Sequence, residues 1–302
     1  MPTWCTNAAN TPAARCCEQP RPASASWRAV LSLTPPDHAA HQRRVGATLT
    51  RLASTRACHF GIILEDTEAQ AAQLRDAEFQ PFFYANRCII PYINEGIRLV
   101  SEGVNPTLIE NAAKLMGMPL GPLQLVDEIS VDLGVKIAKA TKAAMGDAYP
   151  DNAVDTVLFK LYDQGRLGRK SNAGFYDYDD KGKRGDLWAG LATEWPQSEA
   201  QPELTEVQHR LMFVQSLEAV RALEQGVLED IREGDVGAIL GWGFAPWSGG
   251  PFSWLDMLGA PRAVDIADDL AAKFGPRFAA PQLLRDMAAR GESFYGADRR
   301  AG

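Results

Sequence analysis

The stretch FFYANRCIIPYINEGIRLVSEGV (82–104) predicts a long amphipathic helix. Its large apolar residues recur at the helical period and would form one stripe facing a core, made of Ile89, Ile90, Ile93, Ile97 and Val100. The first turn nevertheless carries an amide and a guanidinium, Asn86 and Arg87, close to two phenylalanines. Two polar side chains at the entrance of an apolar helix need a physical reason.

The same pattern returns in the second half of the chain. NRCIIPYINEGIRLVSEGV (86–104) aligns without a gap with HRLMFVQSLEAVRALEQGV (209–227), which places arginine, glutamate and Gly-Val at equivalent positions. Further along, PLGPLQLVDEIS (119–130) is echoed by WSGGPFSWLDMLG (247–259). Ordered repetition of this kind indicates a duplicated supersecondary unit. We therefore predict an all-α fold of two tandem helical domains, 66–194 and 202–302, joined by a polar, Pro-containing linker.

Residues 1–65 are predicted to be a largely disordered extension. They are rich in Ala, Pro, Ser, Thr and Arg and carry few large apolar residues at either regular period. Such a segment cannot bury enough surface to offset the entropy of ordering. Its Arg-rich, acid-poor composition is also that of organelle transit peptides, and a misplaced start or a fusion remnant would look the same. A first short helix is predicted in TEAQAAQLRDAEF (67–79).

Composition argues against several classes of protein. The net charge of -7 argues against nucleic acid as a partner, because a phosphate-binding surface needs a concentrated basic face. No apolar run approaches the roughly 18 residues that a membrane span requires. The adjacent Cys16 and Cys17 lack the CxxC spacing of metal ligands, so no metal site is expected. A reduced, cytoplasmic protein is the simplest interpretation, with organelle targeting by the Arg-rich N-terminus left open.

None of the common nucleotide-binding or hydrolase motifs is present. The sequence contains no GxGxxG, GxxxxGK[ST], GxSxG or HExxH, and the glycine doublet GWGFAP (241–246) follows a predicted helix rather than a strand. His209 is the one histidine after residue 81 and hence a candidate for general acid–base work, although a surface or interface position is the plainer interpretation. Lys170 suits either a phosphate contact or a solvated basic loop.

Asn86 and Arg87 each have two interpretations. The amide of Asn86 can donate a hydrogen bond to a developing oxyanion or hold a hydroxyl, and it can equally cap the N-terminus of a helix. Arg87 recurs as Arg210 in the second copy. This recurrence favours a structural ion pair over a substrate contact, with Asp127 or Asp256 as the expected partner.

Four motifs in order resemble the duplicated C-terminal region of 3-hydroxyacyl-CoA dehydrogenases, as in the multifunctional α-subunits of fatty acid β-oxidation. They are FFYANRCIIPYINEGIRLVSEGV, GMPLGPLQLVDE, GRLGRKSNAGFYDY and DVGAILGWGFAPWSGGPFSWLD. The resemblance covers roughly residues 82–297 and implies two domains of the 6-phosphogluconate-dehydrogenase-C-terminal-like type. It also implies NAD-dependent oxidation of L-3-hydroxyacyl-CoA to 3-ketoacyl-CoA, with Asn86 beside the family's catalytic His–Glu pair.

The family's NAD-binding Rossmann domain, which carries that His and Glu, precedes the F-x-x-N-R motif. Residues 1–81 match neither its fingerprint nor its length. We therefore expect the substrate-closing and assembly half of the dehydrogenase, with Asn86 as its catalytic residue and acyl-CoA as its substrate. A separate Rossmann-bearing chain is the expected partner, and a homo-oligomer is left open. The alternatives are a non-catalytic helical module for acyl-CoA binding or assembly, and an inactive gene fragment.

Because no nucleotide cradle is present, we expect the purified chain alone not to bind NADH at micromolar concentration and not to oxidise 3-hydroxybutyryl-CoA. An NADH fluorescence titration and a turnover assay test this expectation, with a complete 3-hydroxyacyl-CoA dehydrogenase as the positive control. A saturable titration, or turnover above the blank, would contradict it.

Overall fold

The computed structural model describes residues 84–146, 149 and 152–296, and these residues are mostly helical. The α-helices in chain order are α1 (Tyr84–Ser101), α2 (Pro106–Leu115), α3 (Pro122–Ile129), α4 (Val131–Met145), α5 (Ala153–Asp163), α6 (Leu191–Glu194), α7 (Leu204–Glu224), α8 (Ile231–Trp242), α9 (Pro251–Leu258), α10 (Ala260–Phe274) and α11 (Gln282–Arg290). The prediction of a helical protein is confirmed for this part of the chain. The predicted extension 1–65 and the predicted helix at 67–79 lie outside the described residues.

A small antiparallel hairpin interrupts the helices and departs from the all-α prediction. Strand β1 (Tyr176–Tyr178) pairs with β2 (Arg184–Leu187). The intervening turn is closed by Asp179, whose Oδ1 accepts hydrogen bonds from the N–H groups of Lys181 (2.9 Å) and Lys183 (2.8 Å). Alternating tyrosines before an Asp- and Gly-containing turn are a local hairpin signal, and here that signal prevails over the helical surroundings.

Helix α1 is the amphipathic helix expected from 82–104. Its apolar stripe is buried toward the C-terminal end, at Ile93, Ile97 and Val100, and only partly covered near the start, at Ile89 and Ile90. The helix therefore contributes to the core with its C-terminal half and to an open groove with its N-terminal half. None of the described helices has an apolar stretch long enough to cross a bilayer.

Helices α1 and α7 lie side by side and make the most extensive helix–helix contact of the described residues. Two Arg–Glu pairs connect them. Arg87 on α1 donates from Nε to Glu218 on α7 (2.7 Å), and Arg210 on α7 donates from Nε to Glu95 on α1 (2.6 Å). Arg87 is equivalent to Arg210 in the sequence repeat and Glu95 to Glu218, so each helix carries the counterion of the other.

The expectation that Asp127 or Asp256 pairs with the repeated arginine is therefore wrong, although the expected structural ion pair is present. Each arginine lies eight residues before a glutamate on its own helix, a spacing that puts both side chains on one face. Since that face of α1 meets the same face of α7, the arginines reach glutamates across the interface. The two aspartates bind backbone groups elsewhere.

Buried carboxylates hold the first turns of α3 and α9 in the same manner. Glu110 accepts a hydrogen bond from the N–H of Leu123 (2.8 Å), and Asp235 accepts one from the N–H of Phe252 (2.8 Å). The first N–H groups of a helix have no carbonyl partner within that helix. Each carboxylate therefore fixes the start of α3 or α9 and with it the position of the following turn.

Asp127 and Asp256 also act in parallel. Each aspartate accepts hydrogen bonds at 2.8–3.0 Å from two consecutive backbone N–H groups of a later segment, those of Phe175 and Tyr176 for the first and those of Phe294 and Tyr295 for the second. The tyrosine of each segment then donates its hydroxyl back to a carboxylate, Glu110 or Asp235 (2.7 and 2.9 Å). Each of these two segments is thus held by carboxylates from two different helices, α2 and α3 for the first and α8 and α9 for the second.

The Arg210 pair is more deeply buried than the Arg87 pair, with exposed side-chain fractions of 2% and 1% against 10% and 16%. Removing one member of a buried pair leaves an uncompensated charge and costs about 3–5 kcal/mol. Arg210→Met leaves the buried Glu95 with Arg277 as its remaining close partner (2.7 Å), so we expect the free energy of unfolding to fall by about 3 kcal/mol, measured by urea denaturation. Arg87→Met is the matched control and should cost less, because water reaches Glu218. Equal losses in the two variants would contradict this ranking.

Candidate functional site

A groove of about 570 Å³ lies beside α1, within the size range of small-molecule sites. Its walls come from α1, α3, α4 and α5, and from the end of α8 in the second half of the chain. Most of the lining is aliphatic, and includes Ile90, Ile93, Leu125, Val126, Ile129, Leu133, Ile137 and Leu158. The partly covered isoleucines of α1 are thus one wall of a cavity rather than unfinished core.

Asn86 lies in the first turn of α1, at the end of the groove where Trp242 closes it. The indole of Trp242 is fixed there by an edge contact with the ring of Tyr84 (5.5 Å between centroids) and by donating to Gln215 Oε1 (3.0 Å). Among the described residues, no group forms a hydrogen bond with the Asn86 side chain. Its amide is therefore available to a ligand in the groove.

The other end of the groove is polar. Tyr149 donates its hydroxyl to Asp155 Oδ2 (2.6 Å), and Asn152 Oδ1 accepts from the N–H of Val154 (3.1 Å) at the start of α5. Thr141 of α4 also lines this end. Burial and the neighbouring Asp155 raise the pKa of Tyr149 to about 12, so the phenol stays protonated. Sequence analysis did not single out any of these residues.

Asn94 on α1 is a further groove residue that sequence analysis missed. It follows Asn86 by eight residues, which places both amides on the same face of the helix. The available signal was an amide at a position where the apolar stripe predicts an aliphatic residue. Within the described part of the chain, the Asn94 side chain has no hydrogen-bond partner.

His209 does not line the groove, although it occupies the position of Asn86 in the repeat. Its ring makes an edge contact with Phe213 (5.8 Å), which in turn contacts Trp254 (5.0 Å). Burial, together with the positive charge of Arg262, lowers the pKa of the imidazole and favours its neutral form. His209 is therefore a packing residue of the second half, and it takes no part in this groove.

Lys170 makes an ion pair with Asp132, and the neighbouring Arg169 pairs with Glu128 (3.0 Å). Although partial burial opposes it, hydrogen bonding from Lys170 and Ser130 lowers the pKa of Asp132 to about 2. The loop's cations thus neutralise carboxylates of the adjacent helices, which accords with a solvated basic loop rather than a phosphate site. The described residues contain no group of three or more His, Cys, Asp or Glu side chains placed to bind a metal.

Residues 83–178 match a family model described as 3-hydroxyacyl-CoA dehydrogenase, C-terminal domain. This segment is similar to the C-terminal domain of that family. It contains Asn86 and every groove wall except the end of α8. The resemblance seen in the sequence is confirmed there, whereas the part beyond residue 178 has no counterpart in this match.

Two solved structures share the fold. 3-Hydroxybutyryl-CoA dehydrogenase from Escherichia coli K12 is 22% identical, with a TM-score of 0.52. The dehydrogenase part of multifunctional enzyme 1 from C. elegans is 23% identical, with a TM-score of 0.50. Each likeness covers 70% of this chain but only 61% and 47% of those two chains. The chain thus spans less than two thirds of either structure.

Asp127, a buried residue of α3, generates a prediction of pH dependence. Burial raises the pKa of this carboxyl to about 6, although its hydrogen bonds with Tyr176 and Phe175 oppose the shift. A carboxyl whose folded-state pKa lies above its unfolded value of about 3.9 stabilises the fold most in acid. The free energy of unfolding should therefore fall as the pH rises from about 4 to about 6, by at most about 3 kcal/mol from this group.

Urea denaturation at a series of pH values measures this slope. Asparagine cannot ionise, so Asp127→Asn should make this slope smaller. Part of the slope should remain, because burial also raises the pKa values of Glu110 and Asp235. Asp269→Asn, a change of an exposed carboxyl on α10, is the matched control. An Asp127→Asn variant with the wild-type slope would exclude Asp127 as the source.

Proposed function

We propose that this chain supplies the substrate-closing half of an NAD-dependent L-3-hydroxyacyl-CoA dehydrogenase of fatty acid β-oxidation. The observation that carries the proposal is the apolar groove with Asn86 at its end, whose amide has no hydrogen-bond partner among the described residues, within the segment that matches the family. An aliphatic groove of this kind suits an acyl chain, since each buried methylene contributes about 0.8 kcal/mol to binding. The amide would orient the substrate oxygen from which the proton leaves.

The described residues do not fit NAD. Their one sheet is a two-stranded antiparallel hairpin, and GWGFAP lies at the end of helix α8 rather than after a strand. A dinucleotide needs a Gly-rich turn between a strand and a helix. The proposal therefore assigns NAD and the acid–base chemistry to a Rossmann-bearing partner, and assigns acyl binding to this chain.

We propose further that the chain consists of two copies of one unit, in domains 66–194 and 202–302. The support is the set of equivalent interactions: the reciprocal Arg–Glu pairs and the two sets of carboxylates that bind helix starts and final segments. In each of these sets, equivalent groups of the two halves make equivalent hydrogen bonds. In this proposal the first copy binds substrate, and the second copy packs against the first and stabilises it. Residues 66–83 of the first domain lie outside the described residues.

A non-catalytic acyl-CoA-binding or assembly module is the second candidate. It is favoured by one observation, namely that no His, Lys or Cys is among the described residues lining the groove. The two candidates differ in whether Asn86 affects turnover once a Rossmann domain is supplied.

A variant series at Asn86 tests its role. If the amide serves the substrate oxygen, Asn86→Ala should reduce turnover about 100-fold when the chain is combined with a family Rossmann domain, in trans or by fusion. Asn86→Asp should be worse, because a carboxylate repels the developing negative charge and cannot donate to it. The melting temperature should change little. Asn111→Asp, on the exposed face of α2, is the matched control and should leave turnover unchanged.

If Asn86 instead caps a helix, Asn86→Ala should cost about 0.5–2 kcal/mol of stability, and Asn86→Ser or Asn86→Asp should restore most of it. A reconstituted enzyme whose Asn86→Asp variant keeps near-normal turnover would refute the catalytic role.

A further inference from the structure

Helix α1 presents two amides to the groove, Asn86 and Asn94. With a rise of 1.5 Å per residue, eight residues separate them by about 12 Å along the helix axis. The stretch between them is lined by Ile90 and Ile93. A ligand that lies along α1 therefore meets a polar group, an apolar stretch and a second polar group in that order.

The polar residues of α4 and α5 lie at the Asn94 end. One turn beyond Asn94, Arg98 donates from Nη2 to Asn152 Oδ1 (3.5 Å), which places the start of α5 next to this part of α1. A Cβ at Gly134 would lie 3.0 Å from Leu158 Cδ1, so the start of α4 contacts the middle of α5. Since both helices line the groove and pack together, the later Thr141 of α4 falls near the start of α5.

This end of the groove is rich in hydrogen-bond acceptors. Among the described residues that line the groove, Asp155 is the one with a charged side chain. Its carboxylate has about four lone-pair positions and accepts from Tyr149 (2.6 Å) and Asn152 Nδ2 (3.4 Å). It can therefore accept a further hydrogen bond from a ligand, and the Asn94 carbonyl oxygen can accept another. Arg98 lies nearby but does not line the groove, and its Nε lies 3.8 Å from Glu95 Oε2.

Helix packing does not explain the Asn94 amide. The equivalent position on α7 is Leu217, which is fully buried, so the repeated helix accommodates an aliphatic side chain there. Asn94 is partly exposed and has no hydrogen-bond partner among the described residues, so a ligand that displaces water from its amide has to supply a hydrogen bond instead. Asn94 therefore points to recognition of a ligand group rather than to folding.

We propose that the Asn94 and Asp155 end of the groove binds a hydroxyl group at the tail of the acyl chain, so that the preferred substrates are ω-hydroxylated acyl thioesters. This inference rests on the proposed function, which places the acyl chain in the groove with its reacting carbon near Asn86. A tail hydroxyl donates to Asp155 and satisfies Asn94. A plain methyl end adds no hydrogen bond to Asn94 or to Asp155, which keeps its two protein donors, and a tail carboxylate is repelled by Asp155.

Titration calorimetry of the full chain with three series of 3-hydroxyacyl-CoA thioesters tests the proposal. The series carry a methyl, a hydroxyl or a carboxylate at the tail and increase in length from four carbons. Within the methyl series, affinity should rise about fourfold for each added methylene until the groove is filled. A hydroxyl should weaken binding of short chains, whose tails lie in the apolar stretch. It should strengthen binding about tenfold at the length that reaches Asn94.

Two variants locate the effect. Asn94→Leu copies the residue found on α7 and should abolish most of the hydroxyl preference, whereas Asn111→Leu, the same change on an exposed helix face, should retain it. Asp155→Asn keeps an acceptor for Tyr149 and should remove most of the discrimination against a carboxylate tail. Because Asp155→Asn alters neither size nor α1, it remains informative if Asn94→Leu fails to fold.

The possible results separate this proposal from the proposed function. If no series shows affinity that increases with chain length, the acyl groove itself is refuted and this inference fails with it. If affinity increases with length but the hydroxyl is never preferred, the groove stands and only the tail recognition is overturned. A hydroxyl preference that survives both variants would also overturn it.

Discussion

The reciprocal pairing of α1 with α7 is the constraint on which the other features depend. A single Arg–Glu bridge between two helices would allow them to pivot, whereas two bridges near opposite ends of the contact fix both rotation and register. The buried Glu95 also accepts from Arg277 (2.7 Å), which connects the same contact to the segment after α10. With these helices fixed, α3 and α9 are placed by carboxylates that bind their first turns, and the final segments of each half follow. Two of the groove walls, α1 and α3, are therefore positioned by these interactions.

Helix α1 borders both the core and the groove, because the neighbouring helices cover only part of its apolar face. Toward its C-terminal end the face is covered by neighbouring helices and forms part of the core. Toward its N-terminal end the same face remains partly uncovered and carries Asn86, and Asn94 lines the groove near the middle of the helix. Asn86 lies where the helix leaves the core and lines a cavity, whereas Arg87, the other polar residue at the entrance, pairs with Glu218 of α7.

Much of this architecture could be predicted from the sequence, because it depends on local patterns. Apolar spacing predicted α1, and the repeat identified Arg87 with Arg210 and Glu95 with Glu218. The partner of Arg87 could not be predicted, because the alignment shows which residues are equivalent but not that equivalent helices face one another. Asn94 was missed for a related reason. A polar residue in an apolar stripe is informative only when the space beside it is known to be empty.

The polar end of the groove was beyond sequence reasoning altogether. Asp155 and Thr141 lie on different helices, and their proximity depends on the close approach of α4 and α5 at Gly134. The hairpin was the opposite case, since Tyr176 and Tyr178 before an Asp- and Gly-containing turn carry a local signal. That signal predicts an extended segment without any knowledge of the surrounding helices.

One wall of the groove, Ile239–Gly243 with Trp242, belongs to the second half of the chain, while the other walls belong to the first. Any ligand that contacts both walls therefore binds both halves of the chain at once, and its binding free energy adds to the energy that holds these walls together. By thermodynamic linkage the relation is reciprocal. A substitution in the second half that weakens the packing of that half on α1 would lower the affinity for a ligand that the substituted residue does not contact. A bound ligand would in turn oppose separation of the two halves.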